Sequence, residues 1–146
     1  NHFSVGFTRT KPMLRGGYYL HIDPGGSFVG GGFWEPNAAD LHRIRKEFEM
    51  DDEEIRTIVA DATFKKFFGE LKAEELKTAP TGFDKTHPAI DLIRKKQFLL
   101  TRSFSDKEVL APNFQEEVLA TFQAMRPFFD YMSEVLSTDL NGESIY

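Results

Sequence analysis

The chain has 146 residues, 18 Lys and Arg against 23 Asp and Glu for a formal net charge of −5, and no cysteine. The absent cysteines exclude a disulfide scaffold, an iron–sulfur cluster, a thiolate zinc site and a Cys nucleophile, and 40% hydrophobic residues with so small a charge lie outside the disordered class. Roughly 70% of the unfolded surface can be buried at this length, enough for one core; no apolar run reaches the length of a membrane span and no basic-then-apolar leader is read, so a cytoplasmic location is expected.

The chain opens on Asn1 with a strand pattern already running, Phe3, Val5 and Phe7 alternating with Ser4, Gly6 and Thr8. A polar loop over 9–16 leads to a second strand over 18–23, and Asp23-Pro24-Gly25-Gly26 offers Pro and Gly where a type II turn wants them. Residues 27–34 read as a third strand, so the first three make an antiparallel meander that Pro36 ends. Asn37 is placed to cap a helix with Leu41, Ile44 and Phe48 on one face.

The acidic run 51–54 opens a second helix at the positive end of its dipole. Ile55, Ile58, Val59 and Ala62 form its apolar stripe, which Phe64, Phe67 and Phe68 continue to Gly69. Residues 72–86 read as irregular chain with a short helix over 74–77, and Pro88 starts another that runs to Lys96. Residues 97–104 are a fourth strand. Ser105-x-x-Glu108 is a capping box and Asn113-x-x-Glu116 resembles a second. The long helix behind it carries Val118, Phe122, Met125, Phe129, Met132 and Leu136 at spacings of four and three, with a kink expected at Pro127. The sum is an α+β fold, a mostly antiparallel sheet of a three-strand meander plus a fourth strand, covered by helices and closed by a long C-terminal helix.

Three separated motifs are distinctive: Gly16–Trp34, read as GGYYLHIDPGGSFVGGGFW; Leu76-Lys77-x-Ala79-Pro80-x-Gly82-Phe83-Asp84-Lys85-x-His87-Pro88-Ala89-Ile90-Asp91-Leu92; and Arg102-Ser103-Phe104. In this order and spacing the chain resembles the domain of unknown function 2461 family, over about His2 to Asn141. The resemblance implies a fold and no established activity. It also implies a helical segment and a loop rich in Arg, Ser, Lys and Asp ahead of Asn1. Residues 1–146 are therefore expected to be a single domain incomplete at its N-terminal end, lacking a strand or a covering helix.

Three constellations invite chemistry. Gly30-Gly31-Gly32 fits neither a phosphate loop nor a dinucleotide fingerprint, because no GxxxxGK or GxGxxG is present and Phe-Trp-Glu-Pro follows. Its glycines either admit a neighbouring backbone or ring, or form a strip at Gly31 on which a ligand lies flat with Trp34 or Tyr19 beside it. His21 and Asp23 share a strand face two residues apart, read as a wetted pair or as an acid–base pair. Two ligands are too few for a metal, and none is expected. Pro88 keeps His87 extended, which leaves it to cap the following helix or to help hold an anion there with Lys85 nearby.

Charge is segregated. Residues 1–34 and 79–112, which hold the four strands, carry a net +2 each, and 35–78 and 113–146 carry −4 and −5. Arg9, Lys11, Arg15, Lys85, Arg94, Lys95, Lys96 and Arg102 are then either a solvated scatter or the source of an anion-accepting cluster beside the sheet. An isoelectric point of about 5.4 argues against nucleic acid as partner. The reading favoured is a non-catalytic binding module for a small anionic ligand or a protein partner, using Arg102, Lys85, His87, Gly31 and Trp34, with no cofactor and no membrane. The alternative is a hydrolase with His21, Asp23 or His87 as acid–base residue.

Overall fold

The structure, a computed structural model, describes residues 2–146. Strands β1 (Phe3–Thr8), β2 (Gly17–Ile22), β3 (Ser27–Phe33) and β4 (Phe98–Phe104) form one sheet in the order β1-β2-β3-β4, each neighbour antiparallel. The meander is present as the sequence implies, and β4 joins it beside β3 with Val29 opposite Arg102 and Gly31 opposite Leu100. At the β2–β3 turn Gly26 N donates to Asp23 O at 2.8 Å, and Gly25 takes φ 79°, which glycine adopts without a Cβ clash.

The helices are α1 (Ala38–Met50), α2 (Glu53–Ala60), α3 (Ala62–Phe68), α4 (Ile90–Ile93), α5 (Asp106–Val109) and α6 (Phe114–Ser137). The long α6 packs on β3 and α3 on β4, while α1 and α2 lie against α6. Period two decides what each strand sends into this layer. Val29, Phe98, Leu100 and Phe104 face inward and meet Ile44, Phe48, Ile55, Phe64, Met125, Phe129 and Met132 in the core. Gly31 also faces inward: a Cβ there would overlap Met125 Sδ and lie 3.0 Å from Phe129 Cζ, so its missing side chain is what lets α6 approach the sheet.

Several elements differ from their sequence patterns. The stripe from Ile55 to Phe68 is split, because the Asp61 carboxylate accepts from Thr63 N and Phe64 N at 3.0 and 3.3 Å and starts α3 afresh. Residues 74–77 are not helical. Lys72 bridges Leu99 and Glu75 bridges Lys95, satisfying backbone groups that the edge of β4 would otherwise leave open. The same pairing shortens the helix after Pro88 to Ile90–Ile93, since Arg94 O accepts from Leu76 N and Lys96 N donates to Glu74 O. Ser105 and Glu108 do form the capping box, whereas Asn113 makes no side-chain cap bond. Helix α6 runs unbroken through Pro127. The helices stop short of β1, leaving Phe3 and Phe7 57% and 53% exposed on the helix side.

Candidate functional site

The other face of the sheet carries the side chains that alternate away from the core: Ser4 from β1, Tyr19 and His21 from β2, Phe28 from β3, and Leu99, Thr101 and Ser103 from β4. Phe28 pairs with Ser103 and His21, and Gly30 with Thr101 and Tyr19. Because Gly30 contributes no side chain, a trough of about 330 Å³ opens along the centre of this face. Gly30 forms its floor, Tyr19 and Trp34 one wall, Leu99 and Thr101 the other, and Phe28 one end. Trp34 turns back over the sheet, its ring 3.5 Å from where a Gly17 Cβ would lie. Gly32 is fixed by backbone geometry instead: it sits at φ 135° with the Phe98 carbonyl occupying the place a Cβ would take, a position no L side chain fits.

Beyond Phe28 the trough is continued by an aromatic and polar cluster. The His21 ring lies 5.2 Å from Phe28, 6.3 Å from Tyr19 in a stacked arrangement and 5.6 Å from His2. Ser4 Oγ is 2.7 Å from His21 Nδ1, and Asp23 Oδ2 is 3.9 Å from His21 Nε2. Asp23 sits in the β2–β3 turn, where its backbone N–H and C=O both engage Ser27 Oγ. The arrangement is a flat, largely apolar bed with the His21 imidazole at its end and that of His2 beside it.

A family model described as a conserved hypothetical protein (DUF2461) matches residues 1–131. The chain belongs to the DUF2461 family. No curated protein and no solved structure matches it.

In this DUF2461 chain the residues singled out from sequence divide between surfaces. Tyr19, Gly31 and Trp34 line the trough, Gly31 through its backbone, and His21 and Asp23 lie on the same face. Arg102 does not. It pairs with Val29 and therefore projects into the helix layer, where Nη1 donates to Thr121 Oγ1 at 2.9 Å and Nη2 lies 3.0 Å from Glu117 Oε2. Its guanidinium also stacks over Phe67 and Phe104, at 4.9 and 4.5 Å from their centroids. The strand itself carried the signal: Phe98, Leu100, Arg102 and Phe104 alternate as one set, and three of the four are apolar.

Lys85 and His87 belong to the turn before α4, on neither side of the trough. His87 Nδ1 accepts from Ala89 N at 3.0 Å, a bond local to the turn, while the N-cap of α4 is Ala89 and no side chain caps that helix. Thr86 donates its amide and hydroxyl to Asp84 Oδ1, both at 2.8 Å, which holds the Asp84 carboxyl below its ordinary range. Asp91 is held low in the same sense by the paired bonds of Arg56.

The other cations of the proposed cluster are dispersed, and most are engaged. Arg9 pairs with Asp130, Arg15 with Asp40, and Lys95 and Arg94 with Glu75. Lys11 and Lys85 form no ion pair among the described residues, and Lys11 lines a separate hollow that shares Trp34 with the trough. Sequence reasoning missed Leu99 and Thr101, because their place at the trough depends on β4 lying beside β3, and Phe28, which alternation within β3 puts on the same face as Gly30. No helix among the described residues is long and apolar enough to cross a membrane.

Proposed function

We propose that this chain is a non-catalytic binding module whose ligand lies in the trough on the open face of the sheet, its flat apolar body resting on Gly30 between the wall of Tyr19 and Trp34 and that of Leu99 and Thr101. The observation that carries this reading is the glycine floor beside an aromatic wall, a bed of the size and apolar lining that small-molecule sites use. The eight residues lining it include no charged side chain. An anionic substituent would be met by Lys11 on the far side of Trp34, so the ligand class is a planar ring system with or without a negative group at that end. A partner protein's aromatic side chain is the macromolecular version of the same chemistry.

The test exploits a coincidence of sequence: Trp34 is the sole tryptophan. Its fluorescence reports occupancy directly, in a screen of planar fragments with and without a carboxylate or phosphate. Gly30→Ala places a methyl group on the floor and is expected to abolish the response, and Lys11→Glu to weaken only the anionic members.

One observation favours a second, hydrolytic reading: Ser4 Oγ against His21 Nδ1 at 2.7 Å, with Asp23 beyond, is the contact a serine nucleophile needs with its base. That reading requires turnover of an activated aryl ester that Ser4→Ala and His21→Ala each remove.

A further inference from the structure

The two edges of the sheet are finished differently. At the β4 edge Lys72 N donates to Leu99 O at 2.9 Å and Leu99 N to Lys72 O at 2.8 Å, so a strip of the chain itself covers part of it. At the β1 edge no strand or bridge among the described residues does the same. Register identifies the backbone groups that this leaves open. Arg9 N donates to Gly16 O at 3.1 Å, one step beyond the pair Thr8–Gly17. Bonded and non-bonded pairs alternate in an antiparallel ladder, so Phe3, Val5 and Phe7 bond to β2, and the amides and carbonyls of Ser4, Gly6 and Thr8 face outward.

Sheets that must stay single blunt such an edge with charge, proline or a bulge. Strand β1 has none of these: FSVGFT carries no charge and no proline, and its pairing with β2 is continuous. The cation that follows it, Arg9, is already held by Asp130 at 2.8 Å with its own side chain 8% exposed, so pairing along this edge strips no free charge of water. The strand is also its own complement. Phe3 and Phe7 stand symmetrically about Val5 on the helix side, and both rings are more than half exposed. Laid antiparallel on a second copy with the twofold axis at Val5, each Phe3 faces a Phe7 and the two Val5 side chains face each other. Val5 then falls at a non-hydrogen-bonded pair, where side chains approach most closely, while the outward groups of Ser4 meet those of Gly6 in the second copy. An axis one residue further on, at Gly6, would set Phe3 against Arg9 instead. The pattern of the strand selects the first register.

We propose that β1 is a self-association edge, at which two copies of this chain join their four-stranded sheets into one continuous antiparallel sheet centred on Val5. The four phenylalanine rings bring roughly 400 Å² of exposed apolar surface to the seam. With one strand from each copy added, the contact stays below the size of a standard interface, which makes this a weak, reversible dimer. The seam is independent of the trough, whose lining comes from β2, β3 and β4 and from Trp34.

Sedimentation velocity of the whole chain, from about 1 to 500 µM, should show monomer giving way to dimer. Gly6→Pro removes an amide that bonds to nothing within the chain, at an edge position where proline is tolerated. It should weaken association about tenfold or more while melting close to the parent. Phe7→Lys should weaken it in the same sense, and adding Phe3→Glu should restore part of the loss, because the two new charges stand opposite each other across the seam. The register can be read directly, since the chain has no cysteine of its own. Val5→Cys places two thiols at a pair whose Cα atoms lie about 4.5 Å apart, within disulfide reach, whereas Ser4→Cys places them diagonally, beyond it. Under mild oxidation Val5→Cys should link into dimers at least about tenfold faster than Ser4→Cys, and this comparison decides the question even if the proline lowers the melting temperature. The proposal is overturned if the chain stays monomeric throughout the range, whether water or an extended segment of another protein then occupies the edge. It is equally overturned if Gly6→Pro associates as tightly as the parent, or if the two cysteine variants link at the same rate.

Discussion

Three consecutive glycines in β3 do three different jobs, and one methyl group separates them. At Gly30 a Cβ meets nothing closer than 3.5 Å, from the Phe28 ring, so alanine fits and only the trough loses space. Gly30→Ala should leave stability unchanged or raise it by about 0.5–1 kcal/mol through the less flexible unfolded chain. At Gly31 the same methyl group meets Met125 and Phe129 under α6, and the overpacking should cost about 1–3 kcal/mol. At Gly32 the positive φ and the Phe98 carbonyl act together, and about 3 kcal/mol or more should be lost. Urea denaturation of the three variants checks the order, and a Gly30→Ala protein as unstable as Gly31→Ala would contradict the assignment of faces. The sequence shows the triplet and, by its alternation with Phe28, that Gly30 and Gly31 point to opposite faces. It does not show which face the helices cover, since that depends on where α6 docks.

Capping distinguishes elements whose sequence signatures look alike. Asp61 caps α3 with two bonds to backbone amides, whereas Asn113 ahead of α6 caps nothing. Asp61→Ala should therefore cost about 1 kcal/mol and Asn113→Ala close to nothing, measured as shifts in the urea midpoint. Equal losses would mean that the two residues play the same part. The Ser105–Glu108 capping box and the type II turn at Pro24 and Gly25 were legible because their chemistry is local, whereas the similar pattern Asn113-x-x-Glu116 forms no side-chain cap. The stretch 72–96 was not, because its conformation answers the edge of β4, twenty or more residues away for Lys72. Arg102 is the instructive case between these. Its alternation with Leu100 and Phe104 was readable, but its charge suggested solvent, and only Thr121, Glu117 and the two phenylalanine rings explain how a guanidinium lies in the helix layer.

The whole molecule is a two-layer arrangement with one face of the sheet left open, and its stability should fall in acid. Asp91 and the exposed carboxyls of Asp84 and Glu108 are held below their ordinary values, by Arg56, Thr86 and Ser105 respectively. Each favours folding fully above its unfolded value of about 4, and that contribution disappears as pH falls through the lower folded value. Glu54, pushed up, has the opposite sign: its share is present at low pH and lost as pH rises. Three groups against one predict a urea midpoint that is flat near neutrality and drops below about pH 4. A midpoint that rises on acidification would show that the Glu47, Glu54 and Glu134 repulsion dominates.

The central claim, that the open face is a binding bed, rests on Trp34 standing in the wall of the trough. The most direct measurement is Trp34 fluorescence during titration with planar fragments, run in parallel on the parent chain and on Gly30→Ala. A saturable change in the parent that Gly30→Ala abolishes, while melting at the parent temperature or above, is the predicted result. A response that survives the added methyl group unchanged would place the ligand elsewhere and contradict the account.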